Sequence, residues 1–151
     1  MTSYWSGSSC IVWIPGAPVG KARPRVTRAG RTYTPAKTAE HEDKIRREAA
    51  AVASMRATDG KPLAPMQGPL ICNILCAMPI PKSWPKARRE DAQRFGRWHT
   101  SKPDADNLAK AVLDALNGIL YEDDSQVVIL AVTKRYATKA EPGTMVTLSP
   151  A

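Results

Sequence analysis

What the chain lacks narrows the reading first. No apolar run approaches the roughly 18 residues that a membrane-spanning helix needs, so no membrane helix is expected. The opening "MTSYWSGSSCIVWIPG" has neither a basic n-region nor a long apolar h-region, so it does not read as a secretory signal. Histidine occurs twice and cysteine three times, with no spacing of the kind that zinc ligands show. Cys72 and Cys76 lie four apart in an apolar run. With Cys10 they read as buried thiols rather than as a disulfide framework. That usage fits a reducing compartment, and a soluble cytoplasmic protein is expected.

Acid is also scarce. Lys and Arg number 22 against 14 Asp and Glu, a formal net charge of +8 over 151 residues. The length is that of one ordinary domain, able to bury a core without staples. The positive excess points to an acidic partner, nucleic acid first and an anionic membrane surface second. Between Gly16 and Thr38, acid is absent altogether. That stretch, "GAPVGKARPRVTRAGRTYTPAKT", carries Lys21, Arg23, Arg25, Arg28, Arg31 and Lys37 and reads as an exposed loop or ribbon.

Around it the elements alternate. "CIVWIP", Cys10 to Pro15, is a short β-rich run closed by Pro15 and Gly16. "TPAKTAEHEDKIRREAAAVASMRA" reads as a helix, with Thr34 as N-cap, Pro35 in the first turn and Ile45, Ala49, Val52 and Ala53 as a narrow apolar stripe. Its acids Glu40, Glu42 and Asp43 precede Arg46 and Arg47, an order that suits the helix dipole. "PLICNILCAMPI" is apolar enough for a central strand. From Pro79 to Pro103 the chain reads as irregular and basic, holding Lys82, Lys86, Arg88, Arg89, Arg94 and Arg97. Trp84, Phe95 and Trp98 there can stack on bases or pack beneath the loop, and packing is the expectation. His41 and His99 read as surface residues. A helix over 106–117, a strand over 126–136 and a last strand "GTMVTLS" complete the order βαβαββ. The expected fold is α+β, a single α/β sandwich domain over 1–151 with a mixed sheet and two main helices. Residues 1–9 are expected as a flexible N-terminus.

The scarce acid then gathers in one segment. "KPDADNLAKAVLDALNGILYEDDSQVV", Lys102 to Val128, holds Asp104, Asp106, Asp114, Glu122, Asp123 and Asp124. Asp104 and Asp106 point to one side of an extended chain. Asp106, Lys110 and Asp114 follow at helical spacing on one face. The strand from Gln126 can return beside that helix and bring Asp123 or Asp124 toward Asp104 and Asp106. Plainer readings exist: Asp106 as an N-cap, Lys110 in an exposed ion pair, "EDDS" as a solvated turn. They leave unexplained why acids should converge against their mutual repulsion, a cost that a divalent cation removes. Oxygen donors without histidine or thiolate suit Mg²⁺ or Mn²⁺.

The compound pattern D-x-D-N-L-x-K, then L-D-A-L, then D-D-x-Q-V closely resembles the central motif of the RusA family of Holliday-junction resolvases, small homodimeric nucleases of phages and prophages. "IPGAPVGKARPRV" and "YTPAKTAEHEDKIR" also look like that family's first strand, basic loop and first helix. The resemblance covers most of residues 11–136 and leaves 1–9 outside. It implies that Asp104, Asp106 and Asp124 bind metal, that Lys110 is essential for catalysis, and that Asp123 and Asp114 support them, Asp114 by holding Lys110. It implies a homodimer that hydrolyses phosphodiesters of four-way or branched DNA with Mg²⁺, which Mn²⁺ can replace, in recombination and repair, within a bacterial or phage-infected cell. Lys21, Arg23, Arg25, Arg28 and Arg31 form a first candidate DNA surface, and Lys82, Lys86, Arg88, Arg89, Arg94 and Arg97 a second. The competing functions are a non-catalytic branched-DNA-binding protein and a metal-dependent small-molecule phosphohydrolase. The second would need no basic loops.

Overall fold

A computed structural model describes residues 1–57, 59–138 and 141–151. Its strands are β1 (Tyr4–Ser6), β2 (Ser9–Pro15), β3 (Arg25–Val26), β4 (Thr32–Tyr33), β5 (Leu70–Met78), β6 (Val127–Tyr136) and β7 (Gly143–Pro150). Its α-helices are α1 (Ala36–Ala53), α2 (Lys86–Phe95) and α3 (Ala105–Leu116). Among the described residues the main sheet has five strands in the order β1-β2-β7-β5-β6. β5 and β6 are parallel, whereas β1–β2, β2–β7 and β5–β7 are antiparallel, so the sheet is mixed.

Alternation in the strands explains which face is buried. Cys10, Val12 and Ile14 of β2, Leu70, Cys72, Ile74 and Cys76 of β5, and Val146 and Leu148 of β7 are all nearly inaccessible. The register sets Val12 and Ile74 on either side of Val146, and Cys10 and Cys72 on either side of Leu148, so these side chains share one face. The stripe Ile45, Ala49 and Val52 of α1 and the residues Leu108, Val112 and Leu116 of α3 complete the core. All three cysteines are free and buried, and burial pushes the thiols up, to about 12 for Cys10 and Cys72 and about 11 for Cys76. They are protonated packing groups rather than nucleophiles.

Several expectations are corrected. Tyr4–Ser6 is a strand paired to β2, with Gly7 in the left-handed region at the turn. Trp5 Nε1 donates to the Val52 carbonyl at 3.0 Å, which ties this edge to α1. The strand is short and lacks an apolar alternation, so only its pairing reveals it. The segment expected to be irregular from Pro79 to Pro103 contains α2. Of its ten residues, Ala92 alone is buried, so no apolar period announces the helix. Its punctuation does: Pro85 precedes it, and Gly96 ends it at φ 56°. Thr34 does not cap α1. Pro35 occupies that position, and its carbonyl accepts from the Thr38 and Ala39 amides. Neither the first turn of α1 holds an acid nor the last turn a base, so the expected dipole pairing is absent there. Beyond the order βαβαββ, the chain adds β1, the β3–β4 ribbon and α2.

His41 is not a surface residue either, whereas His99 is half-buried. His41 is buried and accepts, through Nε2, from the Val19 amide at 3.4 Å. Burial and the nearby Lys44 depress its pKa below the ordinary 6.5, against a smaller opposing effect of Glu42. A histidine kept neutral by the fold takes up its proton more readily when unfolded. Its contribution to stability is therefore complete above pH 6.5 and falls as the pH drops from there toward the folded value. Thermal unfolding followed from pH 7.5 to 5 should show a falling midpoint below pH 6.5. The decline should be shallower in His41→Gln, and an unchanged profile in that variant would assign the effect elsewhere.

Candidate active site

Asp104 occupies the N-cap position of α3 but makes no side-chain cap bond. Asp106 lies in the first turn, not at the cap. Both carboxylates are exposed. The capping explanation of these acids therefore fails on geometry, since a structural cap spends its oxygen on an amide. Lys110 stands one turn beyond Asp106 on the same face and is also exposed. Among the described residues it forms no ion pair, with Asp106, Asp114 or any other acid.

Asp114 has a different partner from the one expected. Its Oδ2 lies 3.2 Å from Lys21 Nζ, and Lys21 also donates to Glu42 Oε1 at 2.6 Å. Lys21, expected in the DNA surface, is thus a half-buried tie between α1 and α3. Partial burial works against its charge, but the bonds from Glu42 and Asp114 outweigh it, and its pKa is held above the ordinary lysine value. The backbone adds to the tie: the Lys21 amide donates to the Asn107 carbonyl at 2.9 Å. Gly20 passes so close to α3 that a Cβ there would lie 3.0 Å from the Pro103 Cβ and 3.2 Å from the Asn107 Cβ.

The second acidic stretch is organised by capping. Asp123 caps the single 3-10 turn Asp124–Gln126, accepting from the Ser125 amide at 3.2 Å. Hydrogen bonding from the Ser125 side chain, and then from its amide, holds the Asp123 carboxyl below the usual carboxylate range. Gln126 Oε1 accepts from the Glu122 and Asp123 amides, while its Nε2 donates to the Met66 and Gly68 carbonyls, both at 3.1 Å. "YEDDSQ" is therefore not merely solvated, and Asp123-x-x-Gln126 is a capping box that the sequence displays. Asp123 is engaged, and Asp124 beside it is half-buried. Tyr121, a residue that composition alone did not single out, lies beneath. Its buried hydroxyl donates to the Leu113 carbonyl at 2.9 Å. Burial above all, and then the negative charges of Asp124, Asp114 and Asp123, raises its pKa far beyond the ordinary range.

Hard carboxylate oxygens with no competing bond are the donor type for Mg²⁺ or Mn²⁺. In donor chemistry Asp104, Asp106 and Asp124 fit such an ion. Among the described residues, however, no group of three or more His, Cys, Asp or Glu side chains converges closely enough to hold a metal.

Two basic surfaces lie apart from these acids in the chain. Arg23, Arg25, Arg28 and Arg31 are exposed on and around the β3–β4 ribbon. Lys82, Lys86, Arg88, Arg89, Arg94 and Arg97 are exposed on and around α2. Arg97 is forked onto Asp91 at 2.7 and 2.9 Å, and Lys86 lies 3.8 Å from Glu90. Phe95 and Trp98 are 59% and 71% exposed, so only Trp84 meets the expectation of packing, edge-on to Tyr136 with 4.9 Å between ring centroids.

A mixed α+β domain with a free carboxylate pair opening one helix, a lysine a turn beyond and arginine-rich flanks has the parts of a nucleic-acid phosphodiesterase. The family model described as endodeoxyribonuclease RusA matches residues 15–149, and the chain belongs to that family. It is also similar to the uncharacterized protein YqaN of Bacillus subtilis (strain 168), 36% identical over 143 residues that cover 91% of this chain and 95% of the relative. Among the described residues no helix is long and apolar enough to cross a membrane.

The different situations of the cations give a direct test. Lys21→Met leaves Glu42, which is 7% exposed, and Asp114 without their lysine. It should lower stability in denaturant unfolding by about 1–2 kcal/mol, less than a fully buried pair would cost because Lys21 is partly solvated. Arg25→Ala, on the exposed ribbon, should change stability by no more than about 0.5 kcal/mol. Equal effects would remove the structural role of Lys21.

Proposed function

We propose that this chain is a Mg²⁺-dependent, structure-specific endodeoxyribonuclease that resolves Holliday junctions by paired phosphodiester hydrolysis, acting as a homodimer in DNA recombination and repair. The observation that carries the reading is the pair Asp104 and Asp106, uncapped and unpaired at the start of α3, in a chain of the RusA endodeoxyribonuclease family. A phosphohydrolase of small molecules has no use for two exposed arginine-rich surfaces, whereas a four-way junction presents phosphates on every arm.

Asp104 and Asp106 would hold the divalent ion, and Asp124 would complete the set only once the three carboxylates draw together around it, since they do not converge in its absence. Bound there, the ion supplies Lewis acidity and an acidified water. Asp123 is the poorer third ligand because its oxygen already serves the Ser125 amide. Asp114 is spent on Lys21, which leaves the Lys110 ammonium free for a phosphate oxygen. There it would add positive charge where negative charge develops in the transition state. Arg23, Arg25, Arg28 and Arg31 would position the DNA arms by phosphate contacts, which carry affinity rather than sequence choice.

The unpaired edge of β6 supports the dimer. Val128, Ile129 and Leu130 are 60%, 53% and 45% exposed in succession, which leaves both faces of the strand bare. A long apolar edge is a template for another strand. Its far end is closed by the chain itself: Trp98 bridges Arg135, and the Tyr136 amide donates to the Arg97 carbonyl at 2.8 Å. Only the first half is free to pair with a second copy. Sedimentation should give a dimer at micromolar concentration for the wild type and a monomer for Ile129→Glu, which introduces a charge at an exposed position. A dimer that survives this change does not use the edge.

Asp104→Asn, Asp106→Asn and Asp124→Asn should each abolish nicking of a labelled four-way junction in Mg²⁺. In EDTA each should bind the junction as well as the wild type or more tightly, because a carboxylate that faces phosphate repels it. None should unfold earlier than the wild type, since none is a bonded cap. Lys110→Ala should lose most cleavage and keep the fold. Weaker junction binding together with earlier unfolding in all three aspartate variants would make the acids scaffold.

A further inference from the structure

The helix α2 is costly to explain as packing. It contributes one buried side chain, Ala92, yet the chain fixes the segment that follows it with care. Gly96 turns at φ 56°, and a Cβ there would lie 3.0 Å from the Thr138 methyl. The fork between Arg97 and Asp91 folds the next residue back toward the helix. The bridge from Trp98 to Arg135, with the His99 amide donating to the Lys134 carbonyl at 3.2 Å, then locks the backbone against β6. All of this holds in place a tryptophan that is 71% exposed. Beside Trp98 opens a cleft of about 230 Å³ whose other walls include Trp84, Arg88, Arg97 and Tyr136. The Arg88 guanidinium lies 3.6 Å from the centroid of the Trp84 ring, and the two form a flat stacked wall.

We propose that this cleft is a binding site for an unpaired nucleobase of the branched DNA, stacked against the Trp98 indole and the Arg88–Trp84 wall. The inference rests on the reading of the chain as a branched-DNA nuclease. Three features favour a base over an apolar peptide or a second copy. The cleft offers flat π and guanidinium surfaces, on which every base can stack. The helix that forms one wall also carries Arg89 and Arg94, exposed and without a carboxylate partner among the described residues, as phosphate-binding charges elsewhere on its surface. The nearby acids are already engaged, Asp91 with Arg97 and Glu90 with Lys86. A strand crossover is also where a junction can release bases from their stack. The cleft would then choose among branched substrates by the presence of a base free to enter it.

The test measures binding in EDTA, by anisotropy, of a labelled single-stranded oligothymidine and a linear duplex of equal length. Wild type, Trp98→Ala and Trp98→Phe are compared. Trp98→Ala should weaken oligothymidine binding by about 5- to 100-fold, the range for loss of one stacked base. Duplex binding and the dependence on salt should not change, since no phosphate contact is removed. Trp98→Phe should recover most of the loss. Equal oligothymidine affinity in wild type and Trp98→Ala would overturn the proposal. So would a sedimentation shift from dimer to monomer in Trp98→Ala with nucleic-acid binding unchanged, which would make the face a contact between copies. Junction cleavage in Mg²⁺ is scored separately. A wild type that binds oligothymidine through Trp98 but never cuts a junction would refute the nuclease reading and leave the base site standing.

Discussion

The arrangement of this protein depends on one ammonium group. Lys21 Nζ sits between Glu42 of α1 and Asp114 of α3, while the Lys21 amide binds the Asn107 carbonyl. The two helices share the covered face of the sheet, and apolar burial alone would let them slide. A charged bond with direction fixes their register in a way that a non-directional hydrophobic contact does not. The same residue ends the strap that begins at Gly16, whose amide donates to the Pro142 carbonyl, and that Lys44 ties to α1 through the Pro15 carbonyl at 2.8 Å. The basic ribbon leaves from this strap, so its root is set beside the start of α3.

Charge is segregated accordingly. One lysine of the basic stretch is turned inward and neutralised, whereas Arg23, Arg25, Arg28 and Arg31 stay in water. Among the acids, Asp114 and Asp123 serve structure, and Asp104 and Asp106 carry no such duty. In a chain of charge +8, these two acids are left without any ion pair among the described residues.

The sheet shows the same economy at its β6 edge. The chain covers the far end of that edge with its own residues 97–99 and leaves Val128, Ile129 and Leu130 bare. One segment therefore does two things: it caps an edge that would otherwise invite pairing, and it carries Trp98 outward.

Much of the fold was legible from periodicity. β2, α1, β5, α3, β6 and β7 fall within two residues of the bounds read from apolar spacing at most ends; all but β6 bury one face, and a buried face must repeat at 2.0 or 3.6 residues, whereas β6 was legible from its β-rich apolar composition. The end of α1 is the exception: the helix stops at Ala53, although its pattern reads on to Ala57. The motif from Asp104 to Val128 was legible too, since its helical spacing and its capping box are local. Elements that bury little were not. β1 exists only as a partner of β2, and α2 buries only Ala92, so neither leaves a period in the chain. Partner choice was likewise hidden. Spacing offers Asp114 to Lys110, but Lys21, 93 residues away, takes it, because the strap brings a second lysine closer than the helix can. The burial of His41 and the exposure of Trp98 also come from chain segments distant in sequence, Val19 in one case and Arg135 in the other. Sequence by itself determined what repeats along the chain. Tertiary structure decided which charges meet and which aromatic faces stay bare, because those depend on segments that only folding brings together.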